Sequence, residues 1–67
     1  MEIKVKNVNF GDKMVHLNLG KAEELIEKLE LNDDSVILIG KDGKIYTKDE
    51  ILDKNEEISV IEVFSGG

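Results

Sequence analysis

The stretch LNLGKAEELIEKLELNDDSVILIG, residues 17–40, changes its apolar period twice, and those two changes decide the fold. Up to Gly20 apolar and polar residues alternate, which lines one face of a strand. Beyond it Ala22, Leu25, Ile26 and Leu29 recur at three- and four-residue steps, which lines one side of a helix. Glu23 and Glu24 fall in the first turn of that helix and Lys28 follows later, an order that suits the helix dipole. The stripe predicts a single helix of about three turns. Asn32-Asp33-Asp34-Ser35 then breaks the pattern, and Val36-Ile37-Leu38-Ile39 reads as a short buried strand.

Toward the amino end, Glu2-Ile3-Lys4-Val5-Lys6 alternates. After the turn-rich Asn9-Phe10-Gly11-Asp12, Met14 to Leu19 alternates again, so the two segments form a hairpin. Ile3, Val5, Val15, Leu17 and Leu19 are expected on its inner face, and Glu2, Lys4, Lys6 and His16 on its outer face. The helix stripe covers the inner face. Toward the carboxyl end, Lys41-Asp42-Gly43-Lys44 is expected to form a tight primed turn in which Gly43 supplies the positive φ. Ile45-Tyr46-Thr47 returns as a strand, Asp49 to Leu52 reads as one helical turn, and Ile58 to Phe64 is the last strand. The layout is α+β: one mixed sheet of four to five strands with one helix packed across one face.

A single helix covers one face of a sheet only. In the last strand Ile58 and Val60 share one parity while Ile61 and Val63 share the other, and Ile37 and Ile39 are likewise out of step with Val36 and Leu38. With Val36, Leu38, Ile58 and Val60 under the helix, Ile37, Ile61 and Val63 are left on the open face. An apolar patch there is either a docking site or the ordinary outer side of central strands rich in β-formers.

Composition narrows the function classes. A chain of 67 residues makes one domain, and a domain of this size buries only about 60% of the surface its unfolded chain exposes. It holds no Cys, which removes disulfides, thiolate nucleophiles and Cys-based metal sites. The net charge is −6 with nine Lys scattered along the chain and no Arg, a balance that repels nucleic acid and anionic membranes. A basic-surfaced protein partner fits better than either, although charge alone favours the plainer reading that the acidic balance keeps a small protein in solution. No apolar run is long enough for a membrane span and Met1-Glu2-Ile3-Lys4 lacks a signal-peptide layout, so a cytoplasmic location is expected. His16 is the only His and has no nucleophile beside it, Asp12, Asp33, Asp34 and Asp42 lack calcium-loop spacing, and Phe10, Tyr46 and Phe64 are too scattered to stack bases. No catalytic residue and no metal site is expected.

The last residues, VIEVFSGG at 60–67, end on Gly66-Gly67. Glycines at a terminus contribute nothing to packing and are costly to order, so either they are an accident of a flexible or processed end or a partner needs them bare. With the two-strand, helix, two-strand layout running straight into Ser65-Gly66-Gly67, the chain resembles ubiquitin-like β-grasp proteins. It is most similar to the small sulfur carriers of thiamin and molybdopterin biosynthesis and their archaeal modifier relatives. The resemblance covers the whole chain: the hairpin, KAEELIEKLEL, VILIGKDGKIYTKDEIL and EISVIEVFSGG. One departure is Asp53-Lys54-Asn55-Glu56-Glu57, which lacks the Gly those carriers often have before the last strand. Asn55 tolerates the left-handed geometry the turn needs.

The resemblance implies a β-grasp domain over 1–64 and a Ser-Gly-Gly tail over 65–67. It implies that the Gly67 carboxylate is adenylated by an activating enzyme and converted to a thiocarboxylate, with Gly66 and Ser65 needed for threading. Ile37, Ile61, Val63 and Phe64 would form the partner-docking face, Phe64 either closing the core or packing on the partner. No cofactor is bound by the protein itself, and ATP is used by the activating partner. A sulfur donor enzyme and a sulfur-accepting synthase complete the set of partners. Two other roles suit the same residues: a modifier joined through Gly67 to target lysines, and a non-covalent binding module.

Overall fold

The amino-terminal alternation becomes an antiparallel hairpin of β1 (Glu2–Asn7) and β2 (Gly11–His16), with Ile3 opposite Val15 and Lys4 opposite Met14. The computed structural model describes residues 1–63. Ile3, Val5, Val15 and Leu17 are buried as their parity requires, but Leu19 is 74% exposed. Glu24 is the reason. Its carboxylate accepts the backbone N–H groups of Asn18 at 2.6 Å, Leu19 at 2.8 Å and Gly20 at 3.0 Å, and the loop curls around that anion. Gly20 takes φ +77° and turns the chain into the helix, so Leu19 leaves the strand pattern before it reaches the core.

Helix α1 (Ala22–Lys28) is seven residues long, two turns rather than three. It stops because Glu30 adopts φ +58°, with Glu30 N–H donating to Glu27 C=O and Leu31 N–H to Ile26 C=O. That bond pair is the Schellman ending, normally signalled by glycine, here made with glutamate. Leu29 and Leu31 lie past the helix and still pack on the core.

The last strand is central. Strand order is β2-β1-β5-β3-β4, where β3 is Val36–Ile39, β4 Ile45–Tyr46 and β5 Glu57–Glu62. β5 runs parallel to β1 and antiparallel to β3, so the sheet is mixed and has five strands. Six side chains at its centre, Ile3, Val5, Leu17, Leu25, Leu38 and Ile58, are completely or almost completely removed from water. Each such aliphatic burial contributes about 1.5–3 kcal/mol.

The connections differ from expectation in two places. Gly43 has φ +90° and its N–H donates to Gly40 C=O at 3.0 Å, while Asp42 keeps negative φ. The β3–β4 loop is therefore an unprimed turn closed by a left-handed glycine bulge, a combination that also matches strand twist. Asp49–Leu52 makes no helical turn. The Lys48 and Glu50 carbonyls accept from Glu23 and Ala22 N–H at 3.0 and 2.9 Å, and this segment thereby caps α1, whose N-cap residue Lys21 makes no side-chain cap bond. Asn55 does supply the left-handed residue of the Asp53–Glu56 turn, with φ +63°. β5 ends at Glu62, and the expected boundary between residues 64 and 65 lies outside the described residues.

Glu56, 5% exposed, fastens the loop before β5 to the β3–β4 hairpin. Its carboxylate accepts from Lys41 N–H at 3.1 Å, Glu57 N–H at 3.0 Å and the Tyr46 hydroxyl at 2.8 Å. Burial pushes its pKa up, and those three donors together outweigh burial and hold it below the usual carboxylate range. A carboxyl with a lowered folded pKa contributes its stability above the unfolded value and loses it as pH falls through the folded one. The urea midpoint is thus expected to drop from about pH 4.5 downward, and Glu56→Gln, with a lower midpoint at pH 7, is expected to flatten that drop. Gly40 packs against the same cluster. A Cβ there would lie 3.0 Å from the Tyr46 ring and 3.1 Å from Glu56 Oε2, so Gly40→Ala is expected to lower stability by about 1–3 kcal/mol in urea titration.

Candidate functional site: the open face and the end of β5

Two strands bring the residues singled out by parity to one place. β5 pairs with β3 so that Ile61 stands directly opposite Ile37 and Glu62 opposite Val36. Val63, just past the strand, donates its N–H to Ser35 C=O at 2.7 Å and so prolongs the β5–β3 alignment by one residue. Ile37, Ile61 and Val63 are 38%, 46% and 46% exposed on the face the helix leaves open. Phe64, Ser65, Gly66 and Gly67 lie outside the described residues.

The patch is larger than the three residues named from parity. Ile39, half-buried, continues the row from Ile37, and Ile45 on the edge strand β4 stands opposite Ile39 with its side chain exposed. The sequence signal for Ile45 was present in the β3–β4 register, which depends on how the intervening loop closes. Across β5 the same face becomes charged. Lys6 Nζ meets Glu57 Oε1 at 2.6 Å, and the Glu57 hydrogen bond and charge raise the Lys6 pKa while lowering that of Glu57. His16 Nδ1 lies 2.8 Å from Glu2 Oε1, exposed as its parity indicated. Pairs so exposed add little to stability but border the apolar half with hydrated charge.

A second group at the end of β5 escaped sequence reasoning. Glu62 Oε2 accepts from Asn9 Nδ2 at 2.6 Å and from Asn7 Nδ2 at 3.5 Å. Asn7 is buried, and the same Nδ2 donates to Val60 C=O at 2.8 Å while its Oδ1 accepts from the N–H groups of Asn9 and Phe10 at 2.7 and 3.3 Å. Asparagines beside a turn read as turn formers; their bond to a residue more than fifty positions later has no local signature. An open groove between this turn and β5 is lined by Lys6, Val8, Ser59 and Ile61.

The described residues contain no group of three or more His, Asp or Glu side chains placed to hold a metal ion. No helix among them is long and apolar enough to cross a membrane. The open face thus combines an apolar row with a charged border. The chain matches no curated protein. The model of the ThiS family matches it over residues 6–67, from β1 through the open-face strands to Gly67. Together with the five-stranded mixed sheet and its single helix, that match places the protein in the ThiS family, among the ubiquitin-like β-grasp sulfur carriers.

Proposed function

We propose that this protein carries sulfur as a thiocarboxylate on Gly67 and acts as a cosubstrate of other enzymes rather than as a catalyst. The observation that carries the reading is the family match extending through Gly66-Gly67. A carboxylate is a poor electrophile and must first be activated. In this scheme a Gly67 oxygen attacks the α-phosphorus of ATP on an activating enzyme, and pyrophosphate leaves. A sulfur nucleophile then adds to the carbonyl carbon and AMP departs. With sulfide the product is the thiocarboxylate directly; with a persulfide from a donor enzyme it is an acyl disulfide, which a second thiol reduces.

The chain's own contribution is presentation. Gly66 and Gly67 pass through a channel too narrow for Cβ atoms, with Ser65 behind them, and the unshielded carbonyl of Gly67 is open to the nucleophile. Ile37, Ile61, Val63 and Phe64 dock on the activating enzyme, and Ile39 and Ile45 extend that surface. The net charge of −6 favours a partner surface that is basic around an apolar centre. A sulfur-accepting synthase takes the product in thiamin, molybdopterin or tRNA-thiolation chemistry. ATP is bound by the activating partner, and the carrier itself needs no cofactor.

Intact mass spectrometry of the protein from its native cells, with fragmentation of the carboxyl-terminal peptide, is expected to find one sulfur in place of one oxygen at Gly67. Deleting Gly67 is expected to abolish that change and leave the thermal unfolding midpoint where it was. Gly67 found instead in an isopeptide bond to a target lysine would replace the carrier reading by the modifier one. Ile61→Asp is expected to weaken binding to the activating enzyme by about tenfold or more in titration calorimetry. Because Ile61 points away from the core, the circular dichroism of that variant is expected to stay native.

A further inference from the structure

We propose that Asn9 and Glu62, braced by Asn7, form a clasp that aims the chain as it leaves β5, making them positioning residues for modification of Gly67. This rests on the carrier reading. Glu62 is the last residue of β5 and stands five positions before Gly67. Nothing in its own strand fixes its side chain. Asn9 does so from the β1–β2 turn through the 2.6 Å bond to Oε2, a short, charge-assisted contact. The turn cannot drift, because Asn7 accepts its two N–H groups and is itself bonded to Val60 C=O. On the other side Val63 N–H is held by Ser35 C=O at 2.7 Å. The end of β5 is thus gripped from both neighbours, β1–β2 by side chains and β3 by backbone.

The clasp contributes little to overall stability, since the Asn9–Glu62 bond is exposed and water replaces it when it opens. Its leverage is geometric. Five residues threaded in extended form reach roughly 17 Å, so a 10° swing at Glu62 moves the far end by roughly 3 Å. A displacement of about 1 Å at a reacting atom already costs up to a hundredfold in rate. The docking face does not include Asn9, and loosening the clasp therefore acts on the chemical step more than on binding.

The test compares wild type, Asn9→Ala and the exchanged pair Asn9→Asp/Glu62→Gln, in which the amide introduced on β5 donates to the carboxylate introduced in the turn. Each is titrated into a desalted extract of the native cells supplied with ATP and sulfide, and thiocarboxylate formation is followed by intact mass. Asn9→Ala is expected to lower the limiting rate by about five- to tenfold while the half-saturating concentration stays within about twofold, and the exchanged pair is expected to recover most of the rate. Amide exchange at Val63 is expected to quicken in Asn9→Ala at an unchanged unfolding midpoint. Rate and Val63 exchange both equal to wild type, or a rate loss the exchanged pair does not recover, overturn the clasp. A loss confined to the half-saturating concentration overturns it too, since Asn9 then serves docking. Wild type that gains no sulfur overturns the carrier reading instead, and the clasp is then decided by the Val63 exchange.

Discussion

The parallel pairing of β1 with β5 is the constraint on which the rest of the structure depends. Parallel neighbours cannot be joined by a tight turn, so the chain between them must cross over, and α1 with the β3–β4 hairpin fills that crossover. β5 then enters between β1 and β3 and joins two hairpins into one sheet. The Lys48–Leu52 segment caps the helix from outside, Glu56 fastens the approach to β5, and Asn7 fastens its departure by bonding Val60. The two buried polar side chains among the described residues, Asn7 and Glu56, thus serve the same strand.

A sheet with one helix has one dry face and one face in water, and the division follows the pleat. Ile58 and Val60 are sealed beneath α1 while Ile61, one step out of phase, stands beside Ile37 in solvent. Leaving aliphatic side chains there is a cost to solubility, which the charged border of Lys6, Glu57, Glu2 and His16 and the acidic helix side offset. Buried and exposed aliphatic side chains are thereby assigned to opposite parities of the same two strands.

Much of this was legible from residue order. The change of period at Gly20, the parity slip within Val60-Ile61 and the tolerance of Asn55 for positive φ each report a local preference that tertiary structure left intact. What could not be read depends on partners distant in sequence or on rules with substitutes. Leu19 is expelled by a carboxylate five residues on. The helix ends on a glutamate doing glycine's work at Glu30, and Asp49–Leu52 forms no helical turn, its Glu50 carbonyl accepting instead from Ala22 N–H at the start of α1. The open face was visible as a pattern, whereas the Asn9–Glu62 bond joins residues 53 positions apart and belongs to no pattern. Residues 64–67 lie outside the described residues and are reached only by the sequence and by the family match, which extends to Gly67.

The central place of β5 also orders events in time. During synthesis the ribosome releases the amino-terminal hairpin, the helix and β3–β4 first, and these are two half-sheets with the seam between them empty. Ile37 has no partner on the β5 side until Ile61 emerges. The apolar row of the open face and the residues leading to Gly67 are therefore completed by the same few codons. A chain that stops short of β5 leaves Ile37 without Ile61 opposite it and the seam between β1 and β3 unfilled.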